Sequence, residues 1–136
     1  MPETQRTLII LKPDAVKRKL VGEIIRRFEN KGFAIAEMKM MTIPRQMAET
    51  HYAEHKERPF FGELVNFITG GPVVVMALEG PEAIGVARKL MGKTKFTEAE
   101  PGTIRGDYAH DLSANLVHGS DSPESAAREL KLFFGP

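Results

Sequence analysis

The chain has 136 residues, the length of one ordinary domain, and its 42% hydrophobic content is enough for a single buried core. Nineteen basic against eighteen acidic residues leave a net charge of +1, which gives no support to whole-molecule attraction to nucleic acid or an anionic membrane; a local basic pocket stays open. Cysteine is absent, so disulfides and thiolate metal sites are excluded and a reducing compartment is the natural setting.

The first residues, Met1-Pro2-Glu3-Thr4-Gln5-Arg6, lack the basic stretch and apolar run of a secretory signal. No apolar segment approaches the ~20 residues that span a bilayer. A cytoplasmic location without membrane contact is expected. Leu8-Ile9-Ile10-Leu11, ended by Lys12-Pro13-Asp14, reads as a buried strand. After a short helical stretch, a helix over Glu23 to Lys31 places Ile24, Ile25 and Phe28 on one face, with Gly32 at the expected C-cap. Phe33 to Ile43 alternates much of its apolar content, as a half-buried strand does.

Pro44 opens a helix running through about His55, and a second spans roughly Phe60 to Ile68 before Gly70-Gly71-Pro72 stops it. Val73 to Leu78 is the strongest strand, its β-branched run suited to burial on both faces. Pro81 begins a helix with Ile84, Ala87, Leu90 and Met91 inward, closed by Gly92. A long polar loop follows from Lys93 to about Ala114, and loops of such length in compact domains are usually functional or disordered. Leu116-Val117-His118 forms a short strand, and Ser122 caps a last helix that begins at Pro123 and turns Ala126, Leu130 and Phe133 inward.

No linker, repeat or low-complexity tract divides the chain, so residues 1–136 read as one domain. The order β-α-β-β-α-β predicts an α/β (α+β) fold of the ferredoxin-like split type. It is an antiparallel sheet with an inserted helix pair, a long loop before the last strand and a C-terminal helix. Fold alone does not specify chemistry.

Three short patterns point elsewhere. His51-Tyr52-Ala53-Glu54-His55 matches the inverted zinc-peptidase pattern, but no partner motif supplies a third ligand and such enzymes are far larger. Ala87 to Thr94 is a P-loop without its first glycine, and a helix precedes the Gly-Lys-Thr where a strand belongs. Arg105-Gly106-Asp107 resembles an adhesion tripeptide, a three-residue match of little weight. The aromatics are not interleaved with basic residues, so no specific nucleic-acid partner is expected.

His118 carries more. A histidine at a strand end is most often structural, but Gly119 follows it, then Ser120, Asp121 and a helix N-terminus that favours an anion. Glu129, two turns into that helix, is placed to hold one ring nitrogen and leave the other nucleophilic. Phosphoryl transfer also needs cations, for which Lys12, Arg88 and Arg105 are candidates. Asn115-Leu116-Val117-His118-Gly119-Ser120-Asp121-Ser122 resembles the active-histidine signature of nucleoside diphosphate kinases. The resemblance extends through Leu11 to Asp14, His51-Tyr52, Arg58 to Phe61, Gly70 to Val73 and Pro101 to Asp107, in the family's order and spacing.

That resemblance implies roles position by position. His118 is the phosphorylated nucleophile, acting through the nitrogen nearer the backbone, with Glu129 on the other nitrogen and Tyr52 packed beside it. Arg88, Thr94 and Arg105 contact phosphates, Lys12 and Asn115 the sugar hydroxyls and phosphate end, and Phe60 stacks on the base opposite Leu112. Asp121 lies near Mg²⁺, which is held mainly through nucleotide phosphates and water, so no metal-ligating residue is assigned. The implied activity moves the terminal phosphate of a nucleoside triphosphate to a nucleoside diphosphate by a ping-pong route with little base selectivity. Lys95-Phe96 stand where the family has Asn-Pro, a loop used in assembly; a homo-oligomer is expected, hexamer favoured over tetramer. The chain also ends soon after Phe133-Phe134, as in shorter bacterial-type members. The rival is a catalytically inactive ferredoxin-like ligand- or partner-binding module.

Overall fold

A computed structural model describes residues 3–135. The elements are β1 (Thr4–Leu11), α1 (Pro13–Lys17), α2 (Val21–Lys31), β2 (Ala34–Met41), α3 (Arg45–His51), a 3₁₀ turn (Ala53–His55), α4 (Phe61–Ile68), β3 (Val73–Pro81), α5 (Ala83–Met91), α6 (Ile104–Tyr108), β4 (Val117–Gly119) and α7 (Pro123–Phe134). The strands form one sheet in the order β2-β3-β1-β4, every neighbouring pair antiparallel. This is the expected α+β architecture.

The uninterrupted apolar run of β1 follows from helices on both faces. Ile9 and Leu11 pack with Ile24, Phe28, Ala87, Met91 and Ile104, whereas Leu8 and Ile10 pack with Ala48, Tyr52, Val65, Ile68 and Phe133. Successive strand residues point to opposite faces, so no residue from Leu8 to Leu11 is left facing water. Local signals set the end of α2 and the start of α7 as expected. Gly32 closes α2 at φ 112°, and the Ser122 hydroxyl accepts from the Ser125 N–H at 3.1 Å to cap α7. Pro81, by contrast, ends β3 with α5 beginning at Ala83, and the helix expected from Pro44 through about His55 stops at His51 before a 3₁₀ turn.

Three further expectations are revised. Phe33 to Ile43 is not half-buried: β2 is an edge strand paired only with β3, irregular between Ile35 and Glu37, and Met38 and Met40 are exposed. The Lys93–Ala114 stretch contains α6, whose N-cap Thr103 side chain accepts from the Gly106 N–H at 2.9 Å. The last strand begins at Val117 because Leu116 adopts φ 75°, a left-handed backbone that no strand accommodates.

Candidate active site

β4 pairs with β1 so that His118 lies opposite Ile10, on the face covered by α3, α4 and α7. Glu129, on the inner face of α7, is buried and reaches back to the histidine: its Oε1 lies 2.9 Å from His118 Nε2. Ser120 Oγ donates to the same oxygen at 2.7 Å and itself accepts from the Leu8 N–H at 3.2 Å. Burial by itself raises the Glu129 carboxyl, but the hydrogen bond and charge of His118, joined by Ser120, outweigh it and hold the group below its ordinary value. An ionised carboxylate only accepts, so Nε2 carries the proton and the lone pair of the neutral ring sits on Nδ1.

The segment ahead of His118 is strained and braced. Leu116, fully buried at φ 75°, donates its N–H to Asp14 Oδ2 at 3.1 Å, and its carbonyl accepts from the Lys12 N–H at 2.9 Å. Arg105 spans the same segment from α6. Its guanidinium donates to the carbonyls of Gly92 at 2.9 Å, Asn115 at 3.3 Å and Val117 at 2.6 Å. Burial, then the charge of Arg88, pushes Arg105 down to about 10. Lys12 is buried as well; its ammonium donates to Asn115 Oδ1 at 2.8 Å, and burial, with the charge of Arg105, brings it down to about 8. Arg88, on the outer side of α5, donates to the Gly119 carbonyl at 3.0 Å. Buried cations beside a hollow are costly unless an anion compensates them.

These groups converge on one cavity of about 570 Å³. Every site residue expected from the sequence lines it: Lys12, Tyr52, Phe60, Arg88, Thr94, Arg105, Leu112, Asn115, His118 and Glu129, with Asp121 beside them. Phe60 and Leu112 stay exposed although apolar, 41% and 60%, so they line the cavity rather than the core. Tyr52 is buried, and burial with the nearby Glu129 charge pushes its phenol up to about 12. The P-loop-like run resolves as the end of α5, with Gly92 closing it at φ 86° and Thr94 beyond. In the zinc-peptidase-like run, α3 ends at His51 and a 3₁₀ turn carries His55, so the two histidines do not share one helix face.

Three residues were given no part of their own in the site by sequence reasoning. Ser120 fixes the carboxylate, Asp14 braces Leu116, and His51 lies against His118, ring centroids 4.7 Å apart and planes at 82°. Ser120 and Asp14 stand inside the quoted signatures, which was the available signal. His51 was read only as part of the zinc-peptidase-like run and as the neighbour of Tyr52.

The fold is that of nucleotide-handling transferases with solved structures. The protein is similar over 98% of its length to a halophilic nucleoside diphosphate kinase from Halobacterium salinarum in complex with CDP, at TM-score 0.95, 48% identity and 90% coverage of that chain. It is equally similar, at TM-score 0.95 and 43% identity, to the apo enzyme of Encephalitozoon cuniculi, covering 100% of this chain and 90% of that one. The family model described as nucleoside diphosphate kinase matches residues 5–136. A nucleoside diphosphate kinase of Rubrobacter xylanophilus is 64% identical over 96% of this chain and 98% of its own, and that of Methanocaldococcus jannaschii is 59% identical over 96% and 93%. The chain belongs to the nucleoside diphosphate kinase family and is an enzyme of that class.

Proposed function

We propose that this chain, acting as one domain, transfers the terminal phosphate of a nucleoside triphosphate to a nucleoside diphosphate through phosphorylated His118. The observation that carries the reading is the Ser120–Glu129–His118 chain, which leaves Nδ1 as the basic nitrogen in a wall of the cation-lined cavity. In the first half-reaction the Nδ1 lone pair attacks the terminal phosphorus. The Nδ1–P bond forms, the bond from phosphorus to the bridging oxygen breaks, and the nucleoside diphosphate leaves with that electron pair. The positive charge developing on the ring is opposite Glu129, and the charge on the transferring group is met by Lys12, Arg88 and Arg105. The second half-reaction reverses these steps with a terminal oxygen of another nucleoside diphosphate as nucleophile.

Lys12, Arg88, Thr94 and Arg105 serve the phosphates, Lys12 and Asn115 the sugar, and Phe60 with Leu112 the base, while Tyr52 packs the wall behind the histidine. Family members work with a divalent metal accompanying the nucleotide, and Mg²⁺ is the ion proposed here. The carboxylate of Asp121, exposed at the cavity, fits a hard ion held mostly by phosphate oxygens and water. Mg²⁺ supplies charge neutralisation on the polyphosphate.

A closed homo-oligomer is inferred, hexamer favoured over tetramer; the exposed Met38 and Met40 on the unpaired edge of β2 support association. A cytoplasmic location suits a cysteine-free chain, and among the described residues no helix is long and apolar enough to cross a membrane. A catalytically inactive module is disfavoured, since it has no use for a costly set of buried cations facing an oriented histidine. The test is incubation with ATP labelled in its terminal phosphate. Acid-labile, base-stable label lost in His118→Ala supports the reading, and equal labelling of both proteins refutes it.

A further inference from the structure

His51 is buried to 3% exposure, yet neither Nδ1 nor Nε2 has a hydrogen-bond partner. An orphaned pair of ring nitrogens at the end of a helix is expensive, and the proposed phosphotransfer does not use it. The ring is walled by Tyr52 and Phe133, at centroid distances of 4.7 and 5.5 Å, and stands edge-to-face with His118. One donor atom each from His51, His118 and Glu129 lies within 4.8 Å of the other two.

We propose that these three side chains form a site for a borderline divalent transition ion, zinc above all, whose binding shuts off phosphorylation of His118. Two imidazole nitrogens and one carboxylate oxygen are a donor set suited to zinc and poorly suited to magnesium, which prefers oxygen throughout. With bonds of about 2.0–2.1 Å, a tetrahedral zinc holds its ligand atoms roughly 3.3 Å apart. The cluster must therefore contract by about 1.5 Å at most, and the His118 side chain, still 22% exposed, has room to rotate. Water from the cavity supplies the fourth ligand. The surrounding cations, Lys12, Arg88, Arg105 and Arg128, oppose a second positive charge, so the dissociation constant belongs on the order of micromolar.

The inhibitory consequence rests on His118 being the nucleophile. A neutral imidazole has one basic lone pair. Zinc on Nε2 takes the lone pair of that nitrogen, so the ring's single proton moves from Nε2 to Nδ1; zinc on Nδ1 occupies the nucleophilic atom itself. Either way the lone pair that would attack phosphorus is consumed. No other binding energy is needed for inhibition.

The test uses the whole, nucleotide-free protein with Mg²⁺ present. Zinc is titrated against a chromophoric chelator, and Co²⁺ reports coordination through its visible spectrum. One ion per chain is expected, with affinity reduced roughly 100-fold, beyond the cost of losing an outer partner, in His51→Gln, His118→Gln and Glu129→Gln. His55→Gln and His110→Gln should bind as the parent does. Pre-bound zinc should slow labelling of His118, and a chelator should restore it. Absence of stoichiometric binding overturns the proposal, as does binding that survives His51→Gln or disappears with His55 or His110. If circular dichroism shows His51→Gln unfolded, His118→Gln decides the same question. Zinc bound by the three ligands in a protein that never labels His118 would preserve the site and refute the phosphotransfer reading; normal labelling with no zinc site would do the reverse.

Discussion

Replacing Glu129 by glutamine separates the charge of the carboxylate from its shape. Oε1 accepts from both His118 Nε2 and Ser120 Oγ, at 2.9 and 2.7 Å, and Ser120 is itself fixed by the Leu8 N–H. A glutamine carbonyl at that position keeps both bonds, whereas its amide placed there would meet two donors. The favoured rotamer therefore preserves the Nδ1 lone pair, and what is lost is charge. A hydrogen bond to an ionised partner contributes about 1.5–3 kcal/mol against about 0.5–1.5 for a neutral one. The difference of about 1–2 kcal/mol should be felt as the ring becomes positive, slowing phosphorylation by roughly 5- to 30-fold. Glu129→Ala removes the acceptor and leaves two unpartnered donors, so its loss should exceed roughly 100-fold. Rapid-quench measurement of label incorporation under single-turnover conditions reads the step directly, with thermal melts as a control for folding. Glutamine within twofold of the parent would show that charge on Glu129 plays no part. Glutamine as damaging as alanine would show that the tautomer is not held as argued.

Lys12, brought to about 8 by burial and Arg105, must be charged to meet a polyphosphate, so ADP binding takes up a proton above that pH. Affinity should be flat with respect to Lys12 below pH 8 and fall by up to about tenfold per unit above it, while Lys12→Arg, charged throughout, flattens the decline; a parent profile level to pH 9.5 in calorimetric titration would contradict this. Gly106→Ala brings a Cβ to 1.8 Å from the Glu100 carbonyl oxygen and should cost about 2–3 kcal/mol, lowering Tm by about 10 °C. Gly85→Ala, in α5 with nothing within 4 Å, should instead be neutral or stabilise by up to about 1 kcal/mol, and an equal loss in both melts would undo the steric argument. Phe60 and Leu112 offer a base only stacking and apolar contact, so adenine, guanine, cytosine and uracil diphosphates should have kcat/KM values within roughly two orders of magnitude; a hundred-thousand-fold preference would reveal a polar group reading the base edge.

The parts legible in the sequence were those where one residue's local chemistry decides. Val73–Leu78 could be read because a β-branched run tolerates burial on both faces, and α7 because Ser122 and Pro123 cap it without tertiary help. Helix α6 escaped because five residues show no periodicity, and its one buried cation, Arg105, looks like surface charge until the carbonyls it serves are in view. β2 misled because alternation is set by the strand's own pleat, whereas burial depends on whether another layer covers it, and Met38 and Met40 have none. The pairing of His118 with Glu129 was read from the turn and helix that follow the histidine, and the resemblance implied the same roles; the 2.9 Å contact itself depends on α7 packing against the face of the sheet that His118 occupies.

The strain at Leu116 ties these observations together. A bulky residue at φ 75° costs about 1–3 kcal/mol and persists only when its surroundings over-determine it. Here they do: Asp14 holds its N–H, Lys12 its carbonyl, and Arg105 the carbonyls on either side, at Asn115 and Val117. Asn115 and Lys12, paired with each other, face the cavity just before this kink, and His118 faces it just after. The left-handed turn is what lets one short segment present both to the same space, since a continuous strand would send alternate residues to opposite faces of the sheet. The same braces make the arrangement rigid before any ligand arrives. The Lys-Pro-Asp run after β1, the Arg105 of α6 and the His-Gly-Ser run at the end of β4 are thus one mechanical unit, although nearly the whole chain separates their ends.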